Sequence, residues 1–246
     1  MNIFRAQQRS SHGKGSFHIE SVKPGLAFAE NSDPAMGPFS GFDHATLEVG
    51  TVVKMHEHVN DEILSYMWQG TMLHEDKAGN KIPISRTKLM MMNAGKSFWH
   101  EESAPDEAIE MLQIFVRPRE ADLAGHVNFL DREDGAPIGK WGLVGGPEGT
   151  DSPLTIRNQV YVYDTVLEAS RTLEIPVHPG FTPWLYVMDG EITVGDNQLG
   201  KGDGVSCTHD ELPSVSAVVI SSLVLFLVDI KAPYSMAGTI SGKDGR

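Results

Sequence analysis

Apolar residues in this chain come in short runs of Val, Ile, Leu, Met and Phe, broken every few positions by Gly, Asn, Asp or Pro, and no longer stretch keeps a helical period. The pattern predicts strands over Ala45–Val49, Ile63–Gln69, Lys88–Met92 and Ile109–Val116 in the first half. In the second half it predicts Gln159–Leu167, Pro183–Met188, Glu191–Val194, Gly204–Ser206, Val215–Ile220 and Leu223–Ile230. Turn signals such as Ala78-Gly79-Asn80 and Asn93-Ala94-Gly95 separate these runs, so antiparallel sheets joined by tight turns are expected. Arg117–Thr150 has little periodicity and reads as a connection between two halves. Each half also holds a His-containing approach, a strand ending in a glycine turn (Met67-Trp68-Gln69-Gly70 and Val187-Met188-Asp189-Gly190), a short strand and a second glycine turn. Two copies of one barrel-like unit explain that repeat. The expected division is 1–120 for the first domain, 121–150 for the connection, 151–231 for the second domain, and 232–246 for a mobile, glycine-rich tail.

Composition narrows the classes. The chain has 246 residues, 40% hydrophobic and 22% charged, room for two cores of about 100 residues each. With 33 acidic and 20 basic residues its net charge is −13, which disfavours direct contact with a phosphate backbone. The single cysteine, Cys207, can form no internal disulfide and no cysteine-based zinc cluster, which fits a reducing compartment. The basic N-terminus runs into polar residues and glycine rather than the apolar core of a secretory signal, so a cytoplasmic location is expected. Val215–Val228 falls short of the roughly 20 residues of a membrane span and reads as two buried strands.

Candidate chemistry lies in Met55-His56-Glu57-His58-Val59-Asn60-Asp61-Glu62 and in His100-Glu101-Glu102. In extended backbone, residues two apart share a face, so His56 pairs with His58 and His100 with Glu102. Two facing strands would bring three imidazoles and a carboxylate to one point, a donor set suited to Fe, Mn, Ni, Cu or Zn. With 10 histidines in the chain, a His-x-His pair also arises by chance. His74-Glu75-Asp76 reads as a surface turn with a lesser claim to catalysis, Met90-Met91-Met92 as core, and Phe98 and Trp99 as core or as the wall of a cavity. No phosphate-binding loop, dinucleotide fingerprint or nucleophile elbow is present.

The glycine context of these histidines, Gly50-x5-His56-x-His58-x3-Glu62-x7-Gly70, resembles the first motif of the cupin superfamily. Ser65-Tyr66, His74-Glu75-Asp76 and Ala94-Gly95-Lys96-Ser97-Phe98-Trp99-His100-Glu101-Glu102 are similar to its pirin branch. Met111–Val116, with Leu112-Gln113, resembles the strand that follows the pirin site, and Gly146-Pro147-Glu148-Gly149 the loop opening the second domain of bacterial pirin-like proteins. The likeness runs from about residue 37 to 230. The departures are Pro83-Ile84-Ser85-Arg86-Thr87 in place of a Pro-Gly-Asp turn, Ser97 in place of a glycine, and a weak N-terminal segment around Asp33-Pro34 and Pro38-Phe39.

This resemblance implies an all-β bicupin, two tandem jelly-roll barrels. The family's metal ligands would fall on His56, His58, His100 and Glu102, holding one divalent ion, Fe(II) first, with Mn, Ni, Cu or Zn as alternatives. Glu62, Trp99 and Gln113 would stand around the ligands or the cavity. In the second half His178-Pro179-Gly180 replaces His-x-His and His209 is the other histidine, so a metal-free buttressing domain is expected. Several pirins act on flavonols, which implies a quercetin 2,3-dioxygenase-type enzyme taking a polyphenol and O2, with Glu102 as ligand and proton acceptor. The alternative the family implies is a metal- or redox-sensing regulator that binds a protein partner.

Overall fold

The chain folds into three sheets, seen in a computed structural model that describes residues 1–28, 33–207 and 211–242. The largest sheet builds the first barrel. Its strands run in the order Ser10–Lys14, Phe17–Val22, Phe39–Leu47, Ile109–Val116, Glu62–Gln69, Lys88–Asn93, Lys81–Ser85, Thr71–Asp76, Phe98–Ser103 and Val52–His58, and His126–Asp131 also pairs with Lys88–Asn93. The second barrel uses the other two sheets. One orders Asn2–Phe4, Gly204–Ser206, Thr182–Asp189, Ser221–Val228, Val160–Leu167, Gly142–Pro147 and Leu154–Ile156; the other orders Thr172–Leu173, Val215–Ala217, Glu191–Val194 and Asn197–Gly200. Apart from Gly142–Pro147 with Leu154–Ile156, the strand pairs are antiparallel. The protein is an all-β bicupin. Its described helices are short 3-10 turns, and none is long and apolar enough to cross a membrane.

The predicted repeat has a physical counterpart. Gly70 and Gly190 each end a central strand with positive φ (80° and 93°), and each lies against backbone where a Cβ would collide, with Ala108 O at 2.3 Å and Ile220 O at 2.5 Å. Only glycine meets both demands.

The central strands of the second barrel, Thr182–Asp189 and Ser221–Val228, are largely apolar because both of their faces are buried. Trp184, Tyr186, Val224 and Phe226 face the first domain, while Leu185, Val187, Leu223, Leu225 and Leu227 fill the second barrel. At the junction the Phe39 and Phe226 rings stack at 4.3 Å, and Phe42 meets Tyr186 edge-on at 4.7 Å.

Three expectations change. The predicted strand Val215–Ile220 stops at Ala217, because Val218, Val219 and Ile220 turn outward into solvent. The connection expected over 121–150 is divided between the barrels: His126–Asp131 joins the first and Gly142–Pro147 the second. The tail, expected to be mobile, is held from Ser235 to Gly242 by hydrogen bonds to the first domain, among them Ser235 N to Pro118 O (2.7 Å) and Thr239 N to Val59 O (2.9 Å). Residues 243–246 and His209 lie outside the described residues.

Candidate metal centre

Val52–His58 pairs antiparallel with Phe98–Ser103, with His56 opposite His100 and Phe98 opposite His58. A β-bulge follows, so that Glu102 faces Val53, and an extra residue on the histidine strand re-aims its side chains locally. On its other side Phe98–Ser103 pairs with Thr71–Asp76, which sets His74 directly across from Glu102. Alternation therefore delivers His56, His58, His74, His100 and Glu102 to one region of the first barrel.

The ligating atoms of His56, His58 and His100 lie within 4.8 Å of one another. The hydrogen bonds behind them settle which nitrogens face inward. His56 Nδ1 meets Lys54 O at 2.9 Å, and His58 Nδ1 meets the Asp61 carboxylate at 3.1 Å; each acceptor fixes the proton on Nδ1 and leaves Nε2 with its lone pair. His100 Nδ1 lies 3.2 Å from His74 Nδ1, and its Nε2 lies 3.1 Å from His56 Nε2. The two Nε2 atoms of His56 and His100 thus lie close together, and the buried His58 Nε2 beside them has no hydrogen-bond partner. A cation bound there would give that unpaired acceptor its partner. The donor set thus fits a borderline metal ion on three imidazoles.

Protonation agrees with this geometry. Burial, then the neighbouring His56, His58 and His74, push the His100 imidazole down to about 2. Burial also lowers His56 and His74 below the ordinary histidine range. Neutral imidazoles are the form that ligates metals. Asp61 goes the other way from burial: hydrogen bonds from His58, Thr239 and Ser241 outweigh desolvation and hold it below the usual carboxylate range.

Glu102 is buried, and burial raises its carboxyl to about 7. Its Oε1 accepts a hydrogen bond from Gln113 Nε2 at 3.3 Å and lies 3.9 Å from His100 Nδ1. It thus groups with His74 and His100 in a second cluster that shares His100 with the first. Of the expected residues, the structure brings together His56, His58 and His100, with Glu102 and Gln113 beside them. Glu62 sits elsewhere, at the domain junction, taking hydrogen bonds from Asn93 Nδ2 and Arg157 N. Trp99 is corrected as a cavity wall: one residue from His100 along a strand, it points to the opposite face and lies under Lys77 Nζ at 5.1 Å. Phe98 takes that place, its ring 5.9 Å from His100 and 6.0 Å from His74. A cavity of about 360 Å³ opens beside His74, with Phe98, Ile82, Val127 and Phe129 as its apolar lining and Asp76, Asn80 and Lys81 as its polar lining. Sequence reasoning took His74 for part of a surface turn; it lies on a strand, buried, in a register opposite Glu102 that residue spacing alone does not give. In the second barrel His178 is bonded to Tyr163 Oη at 3.0 Å and packed on Tyr161 and Phe181, and Cys207 is buried in that barrel's core.

Comparison with known proteins matches this architecture. The Pirin family profile covers residues 7–116, and the profile described as a quercetinase C-terminal cupin domain covers residues 143–228. The quercetin 2,3-dioxygenase of Escherichia coli strain K12 is 26% identical over 206 residues, 82% of this chain and 88% of that one. The crystal structure of the bacterial pirin YhhW from Escherichia coli, in complex with nickel(II), superposes with a TM-score of 0.79 at 23% identity, covering 94% of this chain and 98% of the other. A quercetin 2,3-dioxygenase from Acinetobacter baumannii superposes at 0.75 with 18% identity, covering 94% and 87%. With both barrels matched by the family's two domain profiles and the histidine cluster in the first barrel, the chain belongs to the pirin family of bicupin proteins.

Proposed function

We propose that the first barrel is a metal-dependent dioxygenase site of the quercetin 2,3-dioxygenase type, acting on a flavonol or related enol-bearing polyphenol with O2. The observation that carries this reading is the convergence of the ligating nitrogens of His56, His58 and His100 within 4.8 Å of one another, beside the buried carboxylate of Glu102. His56, His58 and His100 would hold one divalent ion, Fe(II) in our reading. Such an ion, when bound, supplies a Lewis-acid contact and redox exchange with O2. His74 keeps the His100 proton on Nδ1. Glu102, held by Gln113, accepts the proton of the substrate's enolic hydroxyl, and Phe98, Val127 and Phe129 offer apolar surface to a planar aromatic substrate. The names of the relatives support the activity class. The second barrel, within 151–231, acts as a buttress that supplies half of the apolar junction.

The test is O2 uptake by Fe(II)-loaded protein with quercetin, followed together with loss of the flavonol's visible absorption. We expect coupled uptake and bleaching. His56→Ala and His100→Ala should lose metal and activity together. Glu102→Gln should keep metal on the histidines and lose roughly 10²–10⁴-fold in rate. Fully loaded protein that consumes no O2 with any flavonol would overturn the dioxygenase reading.

A further inference from the structure

Asp61 lies three residues after His58 and is completely buried. What covers it is the end of the chain. From the last strand of the second barrel, Ser221–Val228, the backbone returns to the first domain and lies beside residues 58–61, with Val59 N donating to Thr239 Oγ1 at 3.1 Å and Thr239 N to Val59 O at 2.9 Å. Three consecutive residues then close on the Asp61 carboxylate. Ile240 N reaches both oxygens at 3.1 Å, Ser241 N reaches Oδ1 at 2.9 Å, Ser241 Oγ reaches Oδ1 at 2.8 Å, and Thr239 Oγ1 donates to Oδ2. Arg117 Nε donates to Ser241 O at 3.3 Å, and Ser241 is itself fully buried. The fit is close at Gly238, where a Cβ would come within 2.5 Å of Asp61 Oδ1 and 2.1 Å of Ser241 Oγ.

We infer that Asp61 is a positioning residue for the metal centre and that the C-terminal segment 238–242 is the clamp that fixes it, an inference that rests on His58 being a ligand. A carboxylate offers about four acceptor directions. The clamp occupies those that do not face His58, so the carboxylate cannot rotate, and the remaining Oδ2 direction holds His58 Nδ1–H. This sets the tautomer and plane of the ring whose Nε2 faces His56 and His100. Partners that orient a ligating histidine in this way typically change metal affinity 10–100-fold when removed. The clamp also gives the second half of the chain a direct hold on the metal centre of the first.

The test is titration of the full-length, metal-free protein with Co(II), read both as affinity and as the visible absorption of the bound ion. Asp61→Asn turns one acceptor face into a donor, so it must oppose either His58 Nδ1–H or the clamp's N–H groups. Ser241→Ala and Thr239→Val remove clamp hydroxyls and leave the first barrel's residues untouched. We expect each variant to bind Co(II) about 10–100-fold more weakly than the wild type and with a shifted absorption band. Thermal unfolding of the metal-free variants identifies those that are folded, and Ser241→Ala, the mildest change, serves if Asp61→Asn does not fold. Wild-type affinity and spectrum in a folded clamp variant, in a protein where His58→Ala abolishes binding, would overturn the clamp and leave the metal centre standing. Undiminished binding by His58→Ala would overturn the ligand assignment and the clamp with it.

Discussion

Each histidine of the candidate metal centre is aimed by a different partner: a backbone carbonyl behind His56, a carboxylate behind His58 and a fourth imidazole behind His100. That His56 and His58, and His100 and Glu102, share faces was legible in the sequence because strand alternation needs only the spacing of two residues. The contacts behind them were not, because residues 239–241 reach Asp61 from far along the chain and His74 comes from a neighbouring strand whose register spacing does not give. Glu62 shows the same limit. Its spacing suggested a place near the ligands, yet its carboxylate binds Asn93 and Arg157 at the junction, and burial raises it to about 7 against the pull of Arg157 and Arg119. A carboxyl raised on folding contributes stability that is complete below the ordinary value of 4.5 and is lost as pH rises through about 7. Glu62→Gln removes that titration. Relative to the wild type, the variant should gain on the order of 2 kcal/mol between pH 4.5 and 8, measured by urea unfolding across that range. Parallel pH profiles for the two proteins would contradict this reading of Glu62.

At the scale of elements, central strands were found easily and chain ends were missed. Glu62–Gln69 and Thr182–Asp189 stand out because each is followed by a required glycine, Gly70 and Gly190. Asn2–Phe4 carries no such signal, since three residues show no period. Yet it forms an edge strand of the second barrel, pairing with Gly204–Ser206 and sending Phe4 to within 6.2 Å of Trp184. The two ends thus cross: the N-terminus completes the second barrel and the C-terminal segment closes on the first. Phe4 is fully buried, so Phe4→Ala should cost about 3–5 kcal/mol in denaturant unfolding. A loss below about 1 kcal/mol would show that this strand is peripheral to the fold.

The whole molecule is organised around the face shared by its barrels. Two barrel-like units could be inferred from the repeat, but the packing between them could not, because a strand buried on both faces shows no alternation to say which side is which. Polar bridges flank the aromatic centre. His44 links Tyr186 (2.8 Å) to Glu110 (2.7 Å), and Arg132 and Tyr66 hold the fully buried Asp164 at 2.5 and 3.0 Å. Arg132 comes from the connection, which therefore neutralises a charge of the second barrel beside a tyrosine of the first. Arg132→Met strands that carboxylate and should destabilise the protein by about 3–5 kcal/mol, whereas Arg132→Met with Asp164→Asn should recover part of the loss. A double variant no more stable than the single one would contradict the pairing.

The central claim is that His56, His58 and His100 form one metal centre in the first barrel, and X-ray absorption on protein loaded with one equivalent of Ni(II) tests it most directly, with metal content measured on the same samples. The account expects one bound ion per chain, a first shell showing the scattering signature of three imidazoles, and loss of that signature in His56→Ala, His58→Ala and His100→Ala. An ion held with fewer imidazoles in the wild type, or full occupancy with an unchanged shell in any of the three variants, would contradict it.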